Sequence, residues 1–158
     1  MKELHYIAYG SNLNISQMEL RCPNAEIVGT ALVENYRLLF KGSKTGSYLT
    51  IEPKQGSCVP VAVWSISADD EARLDLYEGY PDFYYKSEFK LNVTNIRTHL
   101  VEGMDAFAYI MNENRNIGIP SRSYLQTCVE GYRNFGFDIT YLTNAYLYSK
   151  EAAICATE

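Results

Sequence analysis

The sequence predicts one α+β domain, residues 1–158, in which strands predominate. The chain has 158 residues, which is about the length of a single domain. Runs of β-branched and aromatic residues recur along it, separated by turn residues. Helical periodicity is confined to short stretches after the first run, in the middle and near the end. No internal repeat, low-complexity stretch or linker divides the sequence.

Strand signals dominate the first half of the chain. Residues 3–9 are predicted to form a strand that ends at Gly10, and Asn14 or Ser16 caps a short helix that stops before Pro23. Three further strand segments are predicted in this half, at residues 26–41, 48–51 and 58–66. Gly29 and Asn35 bend the first of them or divide it into two strands, and a turn follows it at Lys44-Thr45-Gly46.

The middle of the chain carries a helix with a clear start and stop. Ser67 is a suitable N-cap, and the acidic residues 69–71 lie in the first turn, where negative charge suits the helix dipole. The helix is predicted to end at Tyr77 or Glu78, because Gly79 is a typical C-terminal stop.

Two strands and two helices are predicted for the second half. Alternation of apolar and charged residues indicates a half-exposed strand over residues 84–93, and a second strand covers 104–111. Residues 112–120 are polar and predicted to be a loop. The C-terminal elements are a helix capped by Ser121 or Ser123 that ends at Phe135 and Gly136, and a last helix that opens at Asp138, with no strong signal from Lys150 onwards.

The charge pattern argues against nucleic acid and membrane partners. Fourteen Lys and Arg against 19 Asp and Glu give a net charge of −5, with no basic cluster. No apolar run approaches the ~20 residues that a membrane span needs. The first residues do not form a secretion signal, so we expect a cytoplasmic protein whose four cysteines are reduced thiols.

Motifs for common cofactors are missing from the sequence. His5 and His99 are the only histidines, so a zinc site of the usual His/Cys kind would have to be assembled from scattered ligands. Neither GxGxxG nor GxxxxGK[ST] occurs, so the sequence predicts chemistry without a metal or a nucleotide. Tyrosine, at 14 residues, is the one compositional surplus.

The first candidate site is the Gly-Ser-Asn turn at residues 10–12, between the first strand and the first helix. Such a turn leaves backbone N–H groups unpaired, and glycine allows a ligand to approach the backbone closely. These N–H groups could bind a carboxylate or the oxyanion of an acyl transfer. The alternative is an ordinary turn with a helix cap.

The second candidate site is Glu78, which lies between aromatic neighbours at the end of the middle helix. A carboxylate there faces the negative end of the helix dipole, so its pKa is expected to rise. A glutamate with a raised pKa can act as a general base near neutral pH. The alternative is a solvated glutamate at a helix end.

Together these segments are more specific than either one. A YGSNL loop after the first strand, an apolar run ending in VW and then LDxxEGYPxxYxK resemble the γ-glutamylcyclotransferase family, the AIG2-like group. The resemblance implies a small mixed β-barrel flanked by helices, no cofactor, and release of 5-oxoproline from a small-molecule γ-glutamyl substrate.

The resemblance also assigns roles to residues that match the family's motifs. Glu78 matches the catalytic glutamate, and Tyr85 is an alternative to Tyr84 as the tyrosine that closes EGYPxxY. The substrate-binding positions are Tyr6, Ile7, Ala8, Tyr9, Gly10, Ser11, Tyr84 and Tyr124.

The favoured hypothesis is therefore a cofactor-independent γ-glutamyl cyclotransferase. A non-catalytic domain that binds γ-glutamyl ligands with the same pocket is the alternative, and an interaction module with a tyrosine-rich surface is a third. A serine hydrolase built from Ser11 and a histidine lacks the GxSxG elbow. Selectivity for the leaving group is expected from the outer wall of the pocket, around residues 112–120 and 80–85.

Overall fold

The computed structural model describes residues 3–43 and 46–157. Lys44 and Thr45 of the predicted turn therefore lie outside the described residues. A short 3-10 helix, Ser11–Leu13, follows the first strand. The other elements are β1 (Leu4–Ala8), α1 (Ile15–Arg21), β2 (Glu26–Ser43), β3 (Gly46–Ile66), α2 (Ala68–Glu78), β4 (Tyr84–Asn95), β5 (Val101–Met111), β6 (Asn116–Ile117), α3 (Arg122–Asn134) and α4 (Thr140–Thr157).

Five strands close into a barrel in the order β3, β1, β5, β4 and β2. The ring closes because β2 pairs with β3 along most of their lengths as well as with β4. β1 and β5 run parallel, with Tyr6 opposite Phe107, whereas the other pairs are antiparallel. The predicted α+β class and the mixed barrel with flanking helices are thus confirmed.

The long strand pair β2–β3 differs from the sequence prediction. The segments expected at residues 48–51 and 58–66 belong to one strand, in which residues 54–57 bulge out between the pairing of Glu34 with Cys58 and that of Tyr36 with Pro53 and have no backbone pairing partner in β2. The register shifts near Asn35, which has a φ of 62° and accepts a hydrogen bond from the Gly56 backbone N–H at 3.1 Å. Asparagine tolerates this left-handed conformation better than most residues. β2 is therefore a bent strand rather than two strands.

The helix boundaries follow the capping residues. Asn14 rather than Ser16 caps α1, and Ser121 rather than Ser123 caps α3. Ser67 and Asp70 form a capping box at the start of α2, and Gly79 ends that helix with a φ of 65°. α4 extends well beyond Lys150, because the alanine-rich sequence that follows favours a helix.

Helix α3 holds the Gly-Ser-Asn turn in place. The Asn14 side-chain amide donates to the backbone oxygen of Thr127 and to the Glu130 carboxylate, both at 3.1 Å. At Gly131 a Cβ atom would lie 2.6 Å from the Asn14 nitrogen and 2.8 Å from the Leu13 Cβ. The absence of a side chain therefore allows α3 to lie directly against the 3-10 helix.

The four cysteine thiols are free; Cys22 and Cys128 are buried, whereas Cys155 is exposed. Among the described residues, no helix has the length and apolar character needed to cross a membrane.

Candidate active site

The two candidate segments meet at one end of the barrel. β3 ends at Ile66, opposite the start of β1, so α2 begins at the far end and runs back along the barrel. Its eleven residues rise ~16 Å, and the five residues of β1 span ~17 Å. Glu78 at the end of α2 therefore arrives beside the turn that follows β1. The Asn12 side-chain amide donates to Glu78 Oε1 at 3.4 Å.

An inner recess of about 30 Å³ lies between these segments. This volume holds about one or two water molecules, so the recess is narrow. Ten residues from β1, the turn, β3, α2, β4, β5 and α3 line it: Tyr6, Tyr9, Gly10, Ser11, Asn12, Leu49, Glu78, Tyr84, Tyr109 and Tyr124.

A wider outer cavity of about 500 Å³ adjoins the recess. The two spaces share Ser11, Glu78, Tyr84 and Tyr124 as lining residues. The Glu78 carboxylate therefore borders both a narrow polar space and a roomy outer one. The other residues of the outer wall are Tyr48, Leu76, Tyr77, Gly79, Phe83 and Arg115.

Most of the residues assigned from the resemblance lie around the recess. Those that line it are Glu78, Tyr6, Tyr9, Gly10, Ser11, Tyr84 and Tyr124.

Ile7 and Ala8 line neither cavity. Both are buried in the barrel, and they pair with Val63 and Ala62 of β3. Their assignment to the substrate site stays a prediction. Between the alternatives for the closing tyrosine, Tyr84 lines the recess, whereas Tyr85 is exposed and donates its hydroxyl hydrogen bond to Glu113.

Burial raises the pKa of Glu78 from 4.5 to about 7, although the nearby Arg21 guanidinium opposes the shift. Desolvation disfavours the charged form of a carboxylate, so this side chain gains and loses its proton near neutral pH. The helix dipole and the aromatic neighbours were the causes expected from the sequence, and burial is the cause that the structure adds. This combination of location and pKa suits a group that both accepts and returns a proton.

A chain of hydrogen bonds connects α1 to this carboxylate, and sequence analysis missed it. Arg21 donates to the Asn12 side-chain oxygen and, at 2.6 Å, to the Tyr77 hydroxyl, while its guanidinium carbon lies 3.7 Å from the centre of the Tyr77 ring. Asn12 also donates to the Tyr6 hydroxyl at 2.8 Å. Asn12 stands inside the YGSNL motif, which was the available signal. No local pattern distinguishes Arg21.

The Leu49 backbone links two of the lining tyrosines. Tyr84 donates its hydroxyl to the Leu49 oxygen at 2.8 Å, and the Leu49 N–H donates to the Tyr124 hydroxyl at 3.1 Å. Burial raises the pKa of both phenols well above 10.0. These side chains are therefore neutral hydroxyls near pH 7, whereas Glu78 titrates there.

Asp75 positions α2 against the barrel. It accepts a hydrogen bond of 2.5 Å from the Tyr109 hydroxyl and forms an ion pair with Lys86 at 2.9 Å. Tyr109 lines the recess but was not identified from the sequence. Since Asp75 contacts β4 and β5 from α2, it supports the helix that carries Glu78.

Neither histidine lies at this site. His5 lies in β1 and His99 in the turn after β4, and neither lines the recess or the outer cavity. Across residues 3–43 and 46–157, no group of three or more His, Cys, Asp or Glu side chains could hold a metal ion.

Comparisons with known proteins agree with this geometry. The model of the family described as gamma-glutamyl cyclotransferase, AIG2-like, matches residues 6–126. A Bos taurus gamma-glutamylcyclotransferase is 28% identical over 143 residues, covering 86% of this chain and 73% of that protein. A solved gamma-glutamyl cyclotransferase structure superposes with a TM-score of 0.78 at 25% identity, over 91% of this chain and 86% of the other. The structure of an uncharacterised Homo sapiens protein superposes with a TM-score of 0.77 at 25% sequence identity, over 92% of this chain and 87% of the other. Because the family model spans more than half of its length, this chain belongs to the AIG2-like γ-glutamyl cyclotransferases.

Proposed function

We propose that this protein releases 5-oxoproline from a small γ-glutamyl amine, amino acid or peptide by intramolecular attack of the substrate's α-amine, without a cofactor. Family membership supports the reaction type. The observation that carries the proposal is the position of Glu78, a carboxylate of pKa about 7 that borders both the recess and the outer cavity. Because the recess is narrow, the γ-glutamyl unit would lie at its mouth beside Glu78, and the leaving group would extend into the outer cavity.

In the first step, Glu78 accepts a proton from the α-ammonium group of the substrate. The freed nitrogen then attacks the γ-carbonyl carbon of the same molecule, which closes a five-membered ring. The wall of tyrosines would hold the flexible γ-glutamyl chain in a folded conformation. Such positioning can give effective molarities on the order of 10⁵ M or more.

Ring closure places negative charge on the former carbonyl oxygen. The first turn of the 3-10 helix leaves the backbone N–H groups of Ser11 and Asn12 without intrahelical acceptors. These groups are our candidates for donors to that oxygen. A well-placed donor of this kind contributes about 3–4 kcal/mol of transition-state stabilisation.

Collapse of the tetrahedral intermediate completes the reaction. The bond between the γ-carbon and the leaving nitrogen breaks, and Glu78 returns its proton to that nitrogen. The ring nitrogen, which still carries two hydrogens after the attack, gives one of them to the Glu78 carboxylate, which passes it to the released amine. The products are 5-oxoproline and a free amine. Each step transfers a proton or an electron pair within the substrate and one carboxyl group, so a single residue serves as base and then as acid.

The direct test is incubation with a panel of γ-glutamyl amines, amino acids and peptides, followed by mass detection of 5-oxoproline. We expect a time-dependent product for at least one compound. Saturable binding without product over hours would instead support the alternative of a binding domain. A failure to bind any γ-glutamyl compound would contradict both.

The pKa of Glu78 predicts the pH dependence of turnover. Below pH 7 the carboxyl group is increasingly protonated and cannot accept the ammonium proton. We therefore expect kcat/KM to fall by about tenfold per pH unit on the acid side. The measurement is kcat/KM between pH 5 and pH 8, and an acid limb centred near the ordinary glutamate value of 4.5 would contradict it. Replacing Arg21 with methionine removes the cation that opposes the shift, so the limb should move to higher pH.

A further inference from the structure

The outer cavity contains one cationic side chain, that of Arg115. This residue comes from the loop between β5 and α3 and lines the cavity together with Glu78 and Phe83. Its guanidinium carbon lies 4.8 Å from the centre of the Phe83 ring, so the planar group is held by stacking.

Arg115 has no anionic partner among the described residues. No carboxylate there comes within ion-pair distance of its guanidinium, and its Nε atom is buried without a hydrogen-bond acceptor. A buried polar donor without a partner costs free energy. The guanidinium group as a whole lines the cavity without an ion-pair partner among the described residues, and it therefore points to a ligand that supplies an anionic acceptor.

The remainder of the outer wall offers no competing cation. Glu78 is the other charged lining residue, and the rest are aromatic, aliphatic, serine or glycine side chains. A carboxylate that entered this cavity would find a single complementary charge. Arginine also binds a carboxylate through two parallel hydrogen bonds, which fixes orientation as well as strength.

We infer that Arg115 is a specificity-determining residue that binds a carboxylate on the leaving group. The inference rests on the proposed function and refines it: γ-glutamyl amino acids and peptides with a nearby carboxylate are preferred over γ-glutamyl amines. Arg115 acts on the part of the substrate beyond the scissile bond, so it contributes to binding and not to the proton transfers at Glu78.

A matched pair of substrates tests this inference. γ-Glutamyl-L-alanine and γ-glutamylethylamide differ only by the carboxylate of the leaving group. For the unmodified protein we expect kcat/KM to be about 10- to 100-fold higher for the alanine compound, the size of one charge-assisted interaction. Arg115→Met, which keeps an apolar stem beside Phe83, should lose this preference through a higher KM for the alanine compound. Its kcat/KM for the ethylamide should stay within about twofold.

Two further variants separate charge from structure. Arg115→Lys keeps the cation and should restore part of the preference. Arg97→Met removes an exposed arginine from the turn between β4 and β5, and it should leave kcat/KM unchanged for both substrates. Equal turnover of both substrates by the unmodified protein would overturn the inference. An equal loss of kcat/KM for both substrates in Arg115→Met would also overturn the inference, because Arg115 would then have a structural role.

Binding measurements distinguish failure of this inference from failure of the proposed function. Calorimetric titration of both compounds into the unmodified protein and into Arg115→Met requires no turnover. One outcome is tighter binding of the alanine compound that is lost in Arg115→Met, without formation of any product. This outcome would support the carboxylate site and overturn the cyclotransferase proposal. Equal affinities of the two compounds for the unmodified protein and for Arg115→Met would overturn the carboxylate site. The proposed reaction would then be tested by the 5-oxoproline assay alone.

Discussion

Replacing Glu78 with glutamine is expected to lower kcat/KM for 5-oxoproline release by about 10²–10⁴-fold, the usual contribution of a positioned general base. Glutamine has nearly the same shape and can still accept the Asn12 amide hydrogen bond, so the recess should keep its form. It cannot take a proton from the α-ammonium group. The measurement is steady-state release of 5-oxoproline together with ligand binding, which should persist.

The control variant is Glu102→Gln, an exposed glutamate in β5 that should retain full activity. Retained turnover in Glu78→Gln would remove Glu78 from the mechanism. Loss of activity with loss of ligand binding would indicate damage to the site rather than loss of a base.

The same substitution should make the fold more stable at alkaline pH. In the unfolded chain Glu78 ionises near 4.5, whereas in the folded protein it does so at about 7. The folded state therefore binds the proton more tightly, and its free energy of unfolding decreases as pH rises from 4.5 to 7. Glutamine stays neutral at every pH, so it does not carry the cost of a buried ionised carboxylate. Above pH 7 the variant is expected to be more stable by up to about 3 kcal/mol, and the difference should vanish below pH 4.5. Thermal unfolding across this range measures it.

Gly131→Ala is expected to lower the free energy of unfolding by about 1–3 kcal/mol, the typical cost of overpacking. Helix propensity predicts the opposite, since alanine is favoured over glycine in a helix by about 1 kcal/mol. The steric contact decides the sign of the change in stability, because the new Cβ would lie 2.6 Å from the backbone nitrogen of Asn14, directly after the 3-10 helix. Relief of that contact must move α3 or the 3-10 helix, so kcat/KM should fall as well.

The matched control is Gly103→Ala in β5. The nearest atom to its new Cβ, Oδ1 of Asn92, is 3.8 Å away, which is an ordinary contact. We expect no comparable loss of stability or activity. Chemical denaturation of both variants is the measurement, and an unchanged or increased stability for Gly131→Ala would show that the helix and the loop are not in rigid contact.

Local patterns predicted the secondary structure well where a single segment carries the signal. Capping residues and glycine stops located α1, α2 and α3, because a cap satisfies backbone groups a few residues away. Alternation located β4, although its last residues were missed. The continuity of β3 was not predictable from its exposed middle, since residues 54–57 bulge out of the pairing with β2 and only the segments on either side of them are paired.

At the candidate site, local motifs identified individual residues but not the contacts between separate elements. The YGSNL and LDxxEG motifs identified Glu78 and the turn, and their residue types already suggested a carboxylate beside free N–H groups. Nothing in either motif predicts that Arg21 reaches Asn12, or that Tyr109 donates to Asp75. These contacts join residues from different elements, so no spacing along the chain encodes them.

Sequence was therefore sufficient for the class of fold, most of its elements, the family and the principal carboxylate of the candidate site, because each of these depends on short-range patterns and on two distinctive motifs. The raised pKa of Glu78 through burial, the partition into a narrow recess and an outer cavity, and the unpaired Arg115 required the folded chain. Burial and charge pairing are properties of distance in space, and closing the barrel is what brings these side chains together.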